Sequence, residues 1–100
     1  MQYQVKEHEK QATIYLEGEL DMTVGSELGN LIRQVGERHE TIILDFDGVT
    51  FIDSSGIGSL FYATKDLLAL GKAISITNVK EDIRDILEVL GFAEALGLEI

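Results

Sequence analysis

Near the start of the chain, apolar and polar residues alternate one by one. Tyr3 and Val5 fall on one side of the segment from Gln2 to Lys6. After the polar stretch Glu7 to Gln11, Ala12, Ile14 and Leu16 alternate with Thr13, Tyr15 and Glu17. A period of two marks a strand with one buried face, so the two segments predict an antiparallel hairpin. Gly18-Glu19-Leu20-Asp21 closes it, and Asp21 or Thr23 is placed to cap the next helix. The period then lengthens. Val24, Leu28, Leu31, Ile32 and Val35 form one stripe, with Glu27, Asn30, Arg33 and Gln34 opposite and Gly36 as the expected stop. Gly25 and Gly29 lie inside this helix at a cost of about 1 kcal/mol each relative to Ala. Close approach by a neighbouring element is one reason for such residues.

Thr41 to Phe46 is apolar throughout except for Asp45, the pattern of a central strand covered on both faces. Asp47-Gly48 predicts a turn, and Val49 to Ile52 leads into Asp53-Ser54-Ser55-Gly56-Ile57-Gly58. From there Ile57, Leu60, Phe61, Thr64, Leu67 and Leu68 fall at helical spacing until Gly71. Lys72 to Thr77 is a further strand with Ile74 and Ile76 on one face. Asn78 and Glu81 have capping-box spacing for a third helix with the stripe Ile83, Ile86, Leu87, Leu90 and a stop at Gly91. Phe92 to Ile100 predicts a final helical turn and a closing strand. The order is β-β-α-β-α-β-α with a last β, one α/β domain over residues 1–100 whose mixed sheet is covered by helices.

Composition narrows the function classes. A hydrophobic content of 45% and a mean hydropathy of +0.10 suit a packed core in a chain of 100 residues. No apolar stretch approaches the roughly 20 residues that span a bilayer, and no charged-then-apolar leader begins the chain. A cytoplasmic protein with no direct membrane insertion is expected. Eighteen Asp+Glu against eight Lys+Arg give a net charge of −10. That field repels phosphate backbones, so the expected partner is a basic or mixed protein surface and not nucleic acid. The lack of cysteine removes thiol nucleophiles and Cys-based zinc sites.

The strand-to-helix junction carries the candidate chemistry. Asp53, two hydroxyls and two glycines sit where unpaired N–H groups and the positive end of a helix dipole emerge. A phosphate is stabilised in such a place, so Ser54 or Ser55 can carry one; either can also act simply as an N-cap, worth about 1 kcal/mol. Other chemistries lack their residues. A nucleophile elbow needs Gly where Ile52 stands. His8 and His39 fall in polar stretches and are expected as exposed turn residues. No phosphate-binding P-loop or dinucleotide fingerprint is present, and Val49 spoils a calcium loop begun by Asp45 and Asp47.

Ile42 to Val49 resembles the first motif of haloacid-dehalogenase-type phosphatases, and Ile74-Ser75-Ile76-Thr77-Asn78 their second. That resemblance would make Asp45 the nucleophile and Asp47 an acid/base beside magnesium. It stops there, because Asp82 and Asp85, which would have to hold the metal, fall inside the expected third helix.

A second resemblance spans essentially the whole chain. Gly18-Glu19-Leu20-Asp21 with the helix after it, Leu44 to Gly58, and Asn78 to Phe92 are similar to the opening, the signature stretch and the closing helix of the STAS domain of bacterial anti-sigma factor antagonists. This implies a binding protein and not an enzyme, acting in regulation of transcription without metal or cofactor. Its phosphoacceptor would be Ser54, with Ser55 a helix-start residue. Asp21, Asp53, Ser54 and Gly56 match the family's partner-binding face, and Ser55, Ile57 and Gly58 neighbour it. The implied partners are an anti-sigma factor with serine kinase activity, whose binding frees the sigma factor, and a serine phosphatase that reverses the modification. Similar domains also serve as unphosphorylated scaffolds in transporters and stress-sensing assemblies. The pair Gly25 and Gly29 is less typical of the family.

Overall fold

The computed structural model describes residues 1–98. Its elements are β1 (Gln2–His8), β2 (Gln11–Leu20), α1 (Gly25–Arg38), β3 (Thr41–Ile52), α2 (Ser54–Ala69), β4 (Ala73–Thr77), α3 (Glu81–Val89) and α4 (Phe92–Leu96). The sheet order is β1-β2-β3-β4, with β1 and β2 antiparallel and the other two pairings parallel. Register aligns Val5, Ile14, Leu44 and Ile76 in one row, and Lys6, Thr13, Ile43 and Ser75 in the next. The first row faces the core: Ile14 and Leu44 are fully buried. In the second row Lys6 is exposed, and Thr13, Ile43 and Ser75 are half-buried. The central strand is therefore covered on one face and not on both. The consecutive apolar residues Ile42, Ile43 and Leu44 reflect Ile43 on the open side rather than a second layer of helices.

One further expectation changes in β3. Asp47-Gly48 is no turn, because the strand continues through it to Ile52. The parallel ladder with β2 instead shifts register between Tyr15 and Glu17 and again between Gly18 and Glu19. Each shift lets β3 carry one residue more than β2, as a bulge does. A Cβ at position 48 would stand 2.7 Å from the Leu16 carbonyl oxygen, so the bulge needs glycine there.

The glycines of α1 mark where it meets α2. A Cβ on Gly25 would lie 2.6 Å from Ser59 Oγ, and one on Gly36 2.5 Å from Leu67 Cδ2; Gly29 lies against Ser59 and Ala63. As α1 advances from 25 to 36, its neighbours on α2 advance from 59 to 67. The two helices thus run side by side in the same direction, as successive right-handed crossovers require. Gly36 is consequently a packing residue and not the helix stop; α1 runs on to Arg38. On the solvent side Arg33 donates Nε and Nη2 to Asp66 Oδ2 at 3.3 and 3.2 Å.

His39, expected in an exposed turn, is buried at the end of α1. Its Nδ1 lies 2.8 Å from the Val35 carbonyl, which can only accept, so Nδ1 carries a proton. His8 is exposed as expected. Helix α2 ends where Gly71 predicts: Gly71 (φ +83°) donates to Leu68 and Lys72 to Leu67, the two bonds of a Schellman motif. The capping box at Asn78 does not form, and Lys80 stands at the N-cap of α3 without a side-chain bond. Ile83 and Leu87 are buried, while Ile86 and Leu90 are exposed by 38% and 42%, so only half of the expected stripe reaches the core. Gly91 (φ +68°) ends α3 and starts α4. No strand follows α4 among the described residues, and Glu99 and Ile100, where the closing strand would end, lie outside them.

Candidate functional site at the start of helix α2

Parallel pairing of β2 with β3 sets Leu20 opposite Ile52, which brings the two strand ends and the loops after them together. Asp53 donates its backbone N–H to the Leu20 carbonyl at 3.1 Å. Its carboxylate accepts the Gly56 N–H at 2.8 Å, which makes Asp53, and neither serine, the N-cap of α2. The cap residue being aspartate, Ser54 and Ser55 become the first two helical residues with exposed side chains. Gly56 is buried against the other loop. A Cβ there would overlap the Leu20 carbonyl oxygen and sit 3.0 Å from the Asp21 nitrogen.

Asp21 does not cap α1, whose N-cap is Val24 without a side-chain bond. Its Oδ1 accepts the Thr23 N–H at 2.9 Å and the Thr23 hydroxyl, closing the loop on itself. Those bonds hold the Asp21 carboxyl below its ordinary value, which favours its ionised form. The structure thus gathers Asp21, Asp53, Ser54, Ser55 and Gly56 at one end of the sheet. Ile57 departs from this set: it is 5% exposed and belongs to the core. Gly58 differs from Gly56 in that a Cβ added to it would meet nothing within 4 Å, so its surroundings are open.

The sequence reading missed two exposed apolar residues, Met22 in the β2–α1 loop at 74% and Val89 at the end of α3, and expected Leu90 in the core, where it is instead 42% exposed. Ser54, Ile57, Phe61, Leu90, Phe92 and Ala95 line a groove of about 310 Å³ between the start of α2 and α4. Periodicity assigns Ile57, Phe61 and Leu90 to apolar stripes but does not show that they meet Phe92 and Ala95 in a groove, and Met22 and Val89 stand outside every stripe.

The Asp45 carboxylate serves the fold, while Asp47 is exposed and enters only through its backbone N–H. Asp45, 9% exposed, accepts the Asp47 N–H on Oδ1 at 2.9 Å and Asn78 Nδ2 on Oδ2 at 2.8 Å. Both oxygens are engaged: Oδ1 within β3, and Oδ2 in tying β3 to the residue that turns the chain after β4, where Asn78 adopts φ +56°. Among the described residues no group of three or more His, Asp or Glu side chains is placed to hold a metal ion. No described helix is long and apolar enough to cross a membrane.

Comparison with known proteins agrees with this fold. The chain is similar to the Bacillus cell fate determinant SpoIIAA in its phosphorylated form, at 24% identity and a TM-score of 0.73, covering 98% of this chain and 89% of that one. It is similar to an anti-sigma factor antagonist from Mycobacterium paratuberculosis at 19% identity and a TM-score of 0.82, over 97% and 83%. A sulfate transporter family protein from Wolinella succinogenes matches at 23% identity and a TM-score of 0.78, over 88% and 72%. These likenesses establish the fold. The family model of the STAS domain matches residues 2–99. With nearly every residue inside that match, the chain belongs to the STAS domain family.

Proposed function

We propose that this protein is an anti-sigma factor antagonist: a binding protein, not a catalyst, that engages a kinase-type anti-sigma factor and so frees a sigma factor. Phosphorylation of Ser54 by that partner breaks the complex, and a serine phosphatase restores it. The observation that carries this reading is the exposed Ser54 side chain in the first turn of α2, directly after a cap formed by Asp53. A kinase reaches such a hydroxyl without unfolding the helix. The added −1.5 to −2 charge gains about 0.3–1 kcal/mol from the helix N-terminus, so the scaffold tolerates it. Docking does not, because the dianion would sit beside Asp53 and near Asp21 on a chain of net charge −10. A loss of about 3 kcal/mol weakens a complex more than a hundredfold.

Incubation with a kinase-type anti-sigma factor from the same genome and ATP, followed by peptide mass mapping, tests the assignment. Phosphate should appear on the peptide containing Ser54 and vanish in Ser54→Ala. Full modification of Ser54→Ala would transfer the role to Ser55 or end the proposal. Absence of phosphate together with stable capture by a membrane transporter would favour the scaffold reading instead.

A further inference from the structure

We infer that the groove between the start of α2 and α4 is the seat of an apolar side chain from the partner, presented on a helix whose flanking residues are basic. This rests on the function proposed above and names which surface makes the contact. The floor and walls are Ile57, Phe61, Leu90, Phe92 and Ala95, and Ser54 stands at its rim. Phe61 and Phe92 meet edge to face with centroids 6.3 Å apart, which gives the groove a built aromatic floor. Its 310 Å³ holds one or two large aliphatic or aromatic side chains and is too small for a folded segment. Leu90 at 42% exposure and Val89 at 86% extend the apolar surface outward along the end of α3.

Charge selects the occupant. Within two residues of those that line the groove, the chain carries Asp53, Glu88 and Glu94 and no lysine or arginine. A partner helix with an apolar anchor between Lys or Arg residues meets apolar with apolar and acid with base, and an acidic helix is repelled. Because Ser54 shares the rim, a phosphate placed on it would bring a dianion to the mouth of an apolar pocket. The switch would then act on the anchor's seat as well as on the loop at Asp21.

The test uses the full chain, unphosphorylated, titrated calorimetrically with the kinase-type anti-sigma factor. Leu90→Asp puts a charge into the groove, and Ala95→Trp fills it from an exposed position. Leu70→Asp makes the same exchange at a leucine of 71% exposure at the far end of α2. Affinity should fall at least tenfold for Leu90→Asp and Ala95→Trp and stay within twofold for Leu70→Asp, with thermal melts confirming that all three fold. Wild-type affinity in both groove variants, while Ser54→Asp abolishes binding, would overturn the groove and leave the proposed function standing. Equal losses in Leu90→Asp and Leu70→Asp would also overturn it, since added charge alone would then explain the effect. If the unaltered chain binds no such factor, the functional reading falls and the groove assignment with it.

Discussion

Replacing Gly56 by alanine tests how the two loops of the site are held together. The methyl group would overlap the Leu20 carbonyl oxygen and stand 2.7 Å from its carbonyl carbon. Non-bonded carbons settle at about 3.5–4.0 Å, so the backbones must part by roughly an ångström. Nothing flexible absorbs this, because the obstructing atoms are main chain on both sides. Overpacking of this kind costs about 1–3 kcal/mol, and separation also strains the 3.1 Å bond from Asp53 to Leu20, worth about 1 kcal/mol. Alanine returns up to about 1 kcal/mol in helix propensity. The net loss is then about 1–3 kcal/mol, a melting temperature lower by roughly 4–20 °C in a domain of this size. Gly58→Ala is the internal reference: the same exchange two residues on, where a Cβ meets nothing within 4 Å. It should melt at or slightly above the wild type. A Gly56→Ala protein that melts with or above Gly58→Ala would refute the close approach and the rigid pairing of loops built on it.

Three further outcomes follow from bonds in or near the site. Asp53→Ala removes the cap of α2 and should cost about 0.5–2 kcal/mol in urea unfolding, whereas Asp53→Asn should retain most of that stability. Asn78→Ala leaves one oxygen of the buried Asp45 carboxylate without its partner and should cost about 1–3 kcal/mol by the same measurement. Asp21 offers a test by pH. Its folded-state pKa is lowered, first by the Thr23 hydroxyl and then by the Thr23 N–H, so it contributes stability above the ordinary carboxylate range. That contribution is lost as pH falls through the lowered folded value. Thr23→Val removes the hydroxyl and keeps the N–H, so Asp21 should titrate closer to its ordinary value in carboxyl-carbon NMR. An unchanged titration would show that the hydroxyl bond does not matter in solution.

Local patterns were legible because local physics made them. The hairpin shows as alternation, the end of α2 as Gly71, and the strand β4 as Ile74 and Ile76. What failed depended on partners distant in sequence. Gly36 looks like a helix stop until Leu67 is brought against it, and Asn78 looks like a cap until Asp45 claims its side chain. His39 looks exposed beside Glu40, yet it closes the end of α1 against the Val35 carbonyl. At the site, the junction of extended chain and helix was visible, but the division of labour inside it was not. Aspartate and serine are both good caps, and only the observed bond to Gly56 assigns the cap to Asp53 and leaves both serines exposed.

The position of the site follows from topology more than from any single residue. Strands β2 and β3 are parallel neighbours, so the crossover through α1 must return the chain to the same end of the sheet. Loops after parallel strands therefore meet at the carboxyl ends, where ligand sites of α/β sheets gather. Here the meeting is tightened by Gly56 and by the bond from Asp53 to Leu20. A modification in the first turn of α2 is consequently next to the β2–α1 loop even though some thirty residues separate them in the chain. A phosphate on Ser54, as proposed above, would add its charge at the end of the sheet that also carries Asp21. On the function proposed above, the switch would act through added surface charge at this end of the sheet and would not require the fold to move.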